Sequence, residues 1–313
     1  MELENGTKVT EFIFLGLTNF LTNQGMNLLL FVIFLAVYSA TVLGNLLIMA
    51  LVISSQALHI PMYFLLANLS FLDFCYSTVT APKMLGGFLS RVNSISYGDC
   101  MAQIFFFHFI GGIKIFLLTI MAYDRYIAIF YPLRYNIIMN WTVCHGLLCG
   151  SWVGGFIHSI VQVAIVVQLP FCGPNVLDNF YCDVPQVVKL ACMDNFVVEL
   201  LMVSNNGLVT LMCFVLLLAS YSVLLAKLRT QSASGRGKAM STCASHITVI
   251  TLVFGPCIYI YAQPFHSFPI DKAVSILYTV ITPVLNPIIY TLRNKDVKVA
   301  MYKLRNCHQK LNP

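Results

Sequence analysis

The sequence predicts an all-α membrane protein, a seven-transmembrane helix bundle with a short amphipathic eighth helix. Three observations carry this. Of 313 residues, 58% are hydrophobic and only 10% charged, at a mean hydropathy of +0.81, whereas soluble chains carry about 25% charged residues. The apolar residues gather in seven runs, each long enough for the roughly 20 residues that cross a hydrocarbon core. The bases alternate between the two sides of those runs. With the amino terminus outside, the inner side holds Arg125, Arg134, Lys227, Arg229, Arg236, Lys238, Arg293, Lys295, Lys298, Lys303, Arg305 and Lys310, against Asp124 and Asp296. The outer side holds nine acids and five bases. That asymmetry predicts an extracellular N-terminus and a cytoplasmic C-terminus at the plasma membrane. It also makes the net charge of +6 a membrane feature, so no nucleic-acid partner is expected. Three segments follow: an extracellular tail 1–25, a bundle 26–292 with a long extracellular loop 170–195, and a cytoplasmic helix and tail 293–313. Residues 1–25 lack a basic start followed by an apolar core, so the first helix is expected to direct insertion.

In the tail, Asn5-Gly6-Thr7 is an N-glycosylation acceptor. The first run, about Met26–Ile53, carries Gly44-Asn45, and an amide there is expected to hydrogen-bond a neighbouring helix. The second, about Pro61–Phe88, places Asp73 roughly 18 Å along its axis at 1.5 Å per residue. A carboxylate at that depth needs a partner. The third, about Cys100–Ile129, carries Phe107, Gly111, Lys114, Leu118, Ala122 and Arg125 on one face through spacings of three and four. Lys114 lies about 16 Å above Arg125, at mid-membrane like Asp73, so the spacing predicts an Asp73–Lys114 contact. The alternative is a lysine reaching a water-filled cavity. Asp124 and Arg125 end the run as a charged pair at the membrane edge, which marks a functional candidate. The guanidinium stays charged, and Asp124 is its expected resting partner. Pro132 then ends the helix.

The fourth run, about Trp141–Leu169, holds both tryptophans. Trp141 reads as an interface anchor, and Trp152 with Gly154-Gly155 as a packing surface. The polar loop Pro170–Asn195 has three cysteines, and loops of that length carry function. The fifth run, about Phe196–Leu228, has Asn205-Asn206 near its outer end and Ser220-Tyr221 near its inner end. The sixth covers about Ala239–Gln263. The seventh, about Lys272–Leu292, ends on Pro283-Val-Leu-Asn-Pro-Ile-Ile-Tyr290. Residues 294–306 read as an amphipathic helix with Val297, Ala300, Met301 and Leu304 on one side and lysines on the other. No internal repeat supports a transporter. The seven histidines show no metal-ligand spacing and no Ser-His-Asp set, so neither an enzyme, a cofactor nor a metal is expected.

The stretch Met121-Ala-Tyr-Asp-Arg-Tyr-Ile-Ala-Ile-Phe-Tyr-Pro-Leu-Arg-Tyr135 resembles the third-helix signature of odorant (olfactory) receptors, a branch of the rhodopsin-like (class A) G-protein-coupled receptors. Gly44-Asn45, Pro61-Met-Tyr-Phe64, Leu69 to Asp73, Ser220-Tyr221, Lys238 to His246 and Pro283 to Asn294 resemble further family signatures, in order and at the family spacing. The loop is similar to that of the tetrapod-type class. Two departures stand out. Phe130 replaces the usual Cys. Lys114 replaces a common acid, beside a region that often holds sodium in rhodopsin-like receptors. Together these give the expectation that Lys114 pairs with Asp73 in sodium's place. The sixth helix lacks the Trp that many relatives use as a switch, leaving Phe254 or its neighbours to do that packing. No inner-side acid lies between Asp124 and Asp296, so Arg125 has no acidic latch on the sixth helix.

The resemblance implies a receptor that binds a small, mostly apolar, uncharged volatile within the bundle. It further implies activation of a heterotrimeric G protein of the olfactory or stimulatory type, raising cyclic AMP. By resemblance and helical spacing the ligand set is Phe107, His108, Gly111, Gly112, Asn205, Asn206, Val209, Phe254, Cys257, Ile258, Tyr261 and Thr279. No carboxylate or lysine is expected at that level, which disfavours an amine. The implied activation switch comprises Asp124, Arg125, Tyr126, Tyr221, Asn286, Pro287 and Tyr290. Four outer cysteines allow three pairings; the resemblance implies Cys100–Cys182 and Cys172–Cys192, with Cys100–Cys192 left open. A receptor for a non-volatile ligand outside the nose would share all these features. A transporter or channel would need more intramembrane charge than Asp73, Lys114, Asp124 and Arg125 supply.

Overall fold

The computed structural model describes residues 9–17, 24–90, 92–171, 174–192, 196–230, 233–261, 270–293 and 296–303. Asn5, Cys172 and Leu304 lie outside the described residues. Among the described residues seven helices are long and apolar enough to cross a membrane: α1 (Gln24–Ser54), α2 (Pro61–Leu89), α3 (Tyr97–Phe130), α4 (Trp141–Val167), α5, α6 (Ala233–Tyr261) and α7. Two of them carry π-helical turns. α5 runs Phe196–Met202, a π segment Val203–Leu208, then Val209–Thr230. α7 runs Asp271–Ile276, a π segment Leu277–Ile281, then Thr282–Arg293. An eighth helix, α8, covers 296–303. Large apolar side chains stand exposed on α1, α4 and α5 (Leu43, Phe156 and Met212 among them), the surface that lipid would cover.

Local chemistry sets the helix ends. α3 begins three residues before its apolar run because Ser96 caps it, its Oγ accepting from the Asp99 amide at 3.1 Å and donating to the Asp99 carboxylate at 2.7 Å. It ends at Phe130, since Tyr131 precedes Pro132 and cannot readily stay helical. Asn140 caps α4, accepting from the Val143 amide at 2.9 Å.

α3 runs through the middle, packing on α2, α4, α5 and α6. Its approach to α4 depends on glycine. A Cβ on Gly155 would stand 2.7 Å from Ile113 and 2.9 Å from the Phe109 carbonyl oxygen, so any side chain there pushes the two helices apart. Trp152 packs edge-on against Phe109, ring centres 5.6 Å apart. Asn45 ties α1 to α7, donating to the Pro283 carbonyl at 3.1 Å and to that of Thr41 at 2.9 Å.

A small sheet covers one end, a feature the sequence reading did not anticipate. β1 (Glu11–Phe14) lies between β2 (Ser94–Ser96) and β3 (Val176–Leu177), antiparallel to the first and parallel to the second. Phe12 and Phe14 alternate inward onto Ile95, Ile104 and Leu177. The Cys100–Cys182 disulfide, Cα atoms 5.5 Å apart, joins α3 to the loop in the same cluster, which removes Cys100–Cys192. At the other end α8 docks on the bundle. Val297 and Ala300 are buried on Ile48, Leu51 and Leu66, and the Tyr63 hydroxyl donates to Asp296 at 3.0 Å. Met301 is 36% exposed, so the buried face of α8 is narrower than the amphipathic pattern predicted.

Candidate functional site

Between α3, α5, α6 and α7, below the disulfide, lies a cavity of about 60 Å³, well above the roughly 10–15 Å³ needed to hold a single water. Nine residues of the predicted ligand set line it: Phe107, His108, Gly111, Gly112, Asn205, Asn206, Val209, Cys257 and Tyr261. Phe254, Ile258 and Thr279 do not. Val253, Cys257 and Tyr261 form the α6 stripe at intervals of four, and Phe254 and Ile258 each fall one residue on, about 100° around the helix. Phe254 instead stacks on Phe214, centroids 5.8 Å apart. The Thr279 hydroxyl turns back to the Ser275 carbonyl at 2.6 Å, and Tyr278 reaches the cavity in its place. Sequence reasoning also missed Tyr76, His158 and Thr210 on the lining. Tyr76 was within reach: it sits three residues from Asp73, on the same helical face.

The largest correction is Asp183. The sequence reading expected no carboxylate at this level, because Asp183 belongs to a loop and carries no helical register. The Cys100–Cys182 disulfide brings it down onto α3, and Gln103 fixes the backbone beside it, accepting from the Cys182 amide at 2.8 Å while donating to the Val79 carbonyl at 2.9 Å. Asp183 is 2% exposed. The Tyr261 hydroxyl donates to it at 3.1 Å, Tyr181 at 3.2 Å and Tyr278 at 3.5 Å. The Tyr181 and Tyr278 hydroxyls also meet each other. The Val184 amide donates at 2.8 Å, and His108 Nε2 stands 3.4 Å away. This acid is held by a ring of donors.

Lys114 reaches the cavity wall from below, a second charge absent from the predicted lining. Its Nζ stands 2.6 Å from Asp73 Oδ1 and 4.5 Å above the Tyr76 ring. Asn286 Nδ2 donates to the other carboxylate oxygen at 2.6 Å. Asp73 is fully buried and Lys114 3% exposed. A buried carboxylate demands a counter-charge, and here the cation is built into the chain. Among the described residues no group of three or more His, Cys, Asp and Glu could hold a metal ion.

At the opposite end the expected Asp124–Arg125 ion pair is replaced. The Tyr135 hydroxyl donates to Asp124 at 2.6 Å, and among the described residues no ion pair joins Asp124 to Arg125. Adjacent helical residues point away from each other, whereas Tyr135, on the turn after Pro132, folds back under α3. Burial first, then the Asp124 carboxylate, push the Tyr135 phenol well above its usual range, so it keeps its proton and stays the donor at any working pH. The Tyr221 hydroxyl meets His246 Nδ1, while the Tyr290 hydroxyl has no hydrogen-bond partner among the described residues. Phe130 stacks on Tyr126 with ring centres 4.4 Å apart, and Lys227 of α5 lies 3.9 Å over the Phe130 ring. Pro287 abuts α1, where a Cβ on Gly44 would come within 3.2 Å of it.

An olfactory receptor family profile matches residues 34–307. Olfactory receptor 4D1 of Homo sapiens is 58% identical over 307 residues, covering 98% of each chain. Olfactory receptor 4Q3 of Homo sapiens is 57% identical over 306 residues, 97% of each chain. Olfactory receptor 4E2 of Mus musculus is 54% identical over 301 residues, 96% of this chain and 97% of that one.

Proposed function

The chain belongs to the olfactory receptor family, which is not enzymatic, and from that premise we propose that this multi-pass membrane protein binds a small, uncharged, mostly apolar volatile in the cavity beneath Asp183. Binding activates a stimulatory or olfactory-type G protein at the opposite end and raises cyclic AMP. The observation that carries this reading is the cavity itself, small, apolar in most of its wall, with His108, Tyr261 and Tyr278 of that wall reaching the loop acid Asp183. The N-terminus is extracellular in this reading, Asn5 carries a glycan, and Cys172 pairs with Cys192.

A ligand shifts a two-state receptor only through unequal contact with the two states. Contact with Cys257 and Tyr261 loads α6, and Phe254, one residue off that stripe and stacked on Phe214, couples α6 rotation to α5. As α6 moves outward, Tyr221 leaves His246, and Arg125 gains Tyr221 together with the Tyr290 hydroxyl. The basic inner rim then favours an acidic or carboxylate-ended helix of the G protein. Lys114 takes the place of sodium beside Asp73, which makes signalling insensitive to sodium.

The test is a screen of volatiles on cells that express the full-length receptor and a stimulatory G protein, with cyclic AMP as readout. At least one small uncharged volatile should raise cyclic AMP, and Arg125→Gln at equal surface level should abolish the rise. A ligand-evoked current in cells lacking the G protein would instead identify a channel.

A further inference from the structure

We propose that the ligand carries a hydrogen-bond-accepting carbonyl oxygen, and that the side-chain amides of Asn205 and Asn206 hold it. The proposal rests on the cavity reading above and adds the chemical class of the ligand.

Both asparagines line the cavity, and both sit in the π segment Val203–Leu208, a wider turn of the kind frequent at functional sites. His158 interacts with both amides, yet Nδ2 of each is buried and has no hydrogen-bond partner among the described residues. Two buried N–H donors lacking an acceptor are a cost that a ligand oxygen would remove.

The hydroxyls and the charge nearest the acids of the site are already engaged. The Tyr261 and Tyr278 hydroxyls donate to Asp183, and the Lys114 charge is met by Asp73. An amine would find no free carboxylate, and an acid no free cation. A neutral acceptor fits: a ketone, aldehyde or ester whose oxygen meets the paired amides while its hydrocarbon lies on Ile115, Phe116, Val209 and Val253.

The experiment presents each of several short hydrocarbon skeletons as the ketone, ester, alcohol, primary amine, carboxylic acid and alkane, and reads cyclic AMP from the full-length receptor. Asn205→Asp and Asn206→Asp keep the shape while exchanging an amide donor for an acceptor. Ketones and esters should be the most potent, and each Asp variant should lose about tenfold in potency towards them at matched surface level. If an Asp variant does not reach the surface, the shorter, neutral Asn→Ser at the same position should show the same selective loss. Greatest potency among alkanes, amines or acids would overturn the proposal. So would unchanged potency in both asparagine variants, alcohols that gain from Asn→Asp, or a silent panel with the receptor at the surface. Gly111→Leu separates this from the parent reading. A Cβ at Gly111 meets Tyr76 at an ordinary 3.6 Å, so the leucine grows into the cavity and should abolish every response. If Gly111→Leu still responds, the cavity reading falls. If it is silent while the asparagine variants respond like wild type, only the carbonyl proposal falls.

Discussion

Asp73 and Asp183 flank one cavity, both almost fully buried, and they are stabilised by opposite means. Asp73 sits among helices and is met by a full positive charge from Lys114 with an amide from Asn286. Asp183 comes from a loop and is met by tyrosine hydroxyls, a backbone amide and His108, held in place by a disulfide. An ion pair in an apolar interior opens at high cost. A ring of donors gives up one bond at a time, at about 1.5–3 kcal/mol each for a charged acceptor. The first arrangement suits a fixed joint between α2, α3 and α7. The second suits a lid that adjusts when a ligand arrives beneath it.

The contrast breaks first at Lys114. Lys114→Met leaves Asp73 buried without its cation and should cost about 3–5 kcal/mol, read as thermal unfolding of the receptor in detergent micelles. Adding Asp73→Asn should recover most of that loss, and no recovery would remove the pair from the account. Asp124 extends the comparison to an acid held through one hydroxyl. Tyr135→Phe removes a hydrogen bond to a charged group and should cost about 1.5–3 kcal/mol, with higher ligand-free cyclic AMP as the second readout. For the ring around Asp183, Tyr261→Phe should cost about 1.5 kcal/mol, the low end for a bond to a charged group, because other donors remain. An effect as large as that of Lys114→Met would erase the distinction between the two acids. Smallest is Phe130→Cys, which removes the contact with Lys227, a cation–π interaction worth about 0.5–1 kcal/mol at a partly exposed site. It should raise ligand-free cyclic AMP by a few-fold at most.

What the sequence made legible follows the same division. The helices were legible because apolar length is a one-dimensional signal, and α3 began early only because Ser96 and Asp99 form a local cap. Asp73 and Lys114 were legible as partners because both are charges placed mid-run by a fixed rise per residue. Asp183 was hidden, since a loop residue has no periodicity and its position depends on a disulfide closing over 82 residues. The π segments were hidden as well, and they hold Asn205, Asn206, Tyr278 and Thr279. The tail strand was written in Glu11-Phe-Ile-Phe14, whose alternation is too short to stand out. Phe254 and Ile258 were misplaced by a single residue, enough to rotate each off the lining stripe.

The most direct test is a cryo-electron microscopy structure of the receptor with an activating volatile and its G protein. The account predicts ligand density beneath Asp183, in contact with Asn205, Asn206 and Tyr261, and Arg125 turned towards Tyr221 and Tyr290. Ligand density at any other site, with this cavity collapsed or filled by side chains, would contradict it.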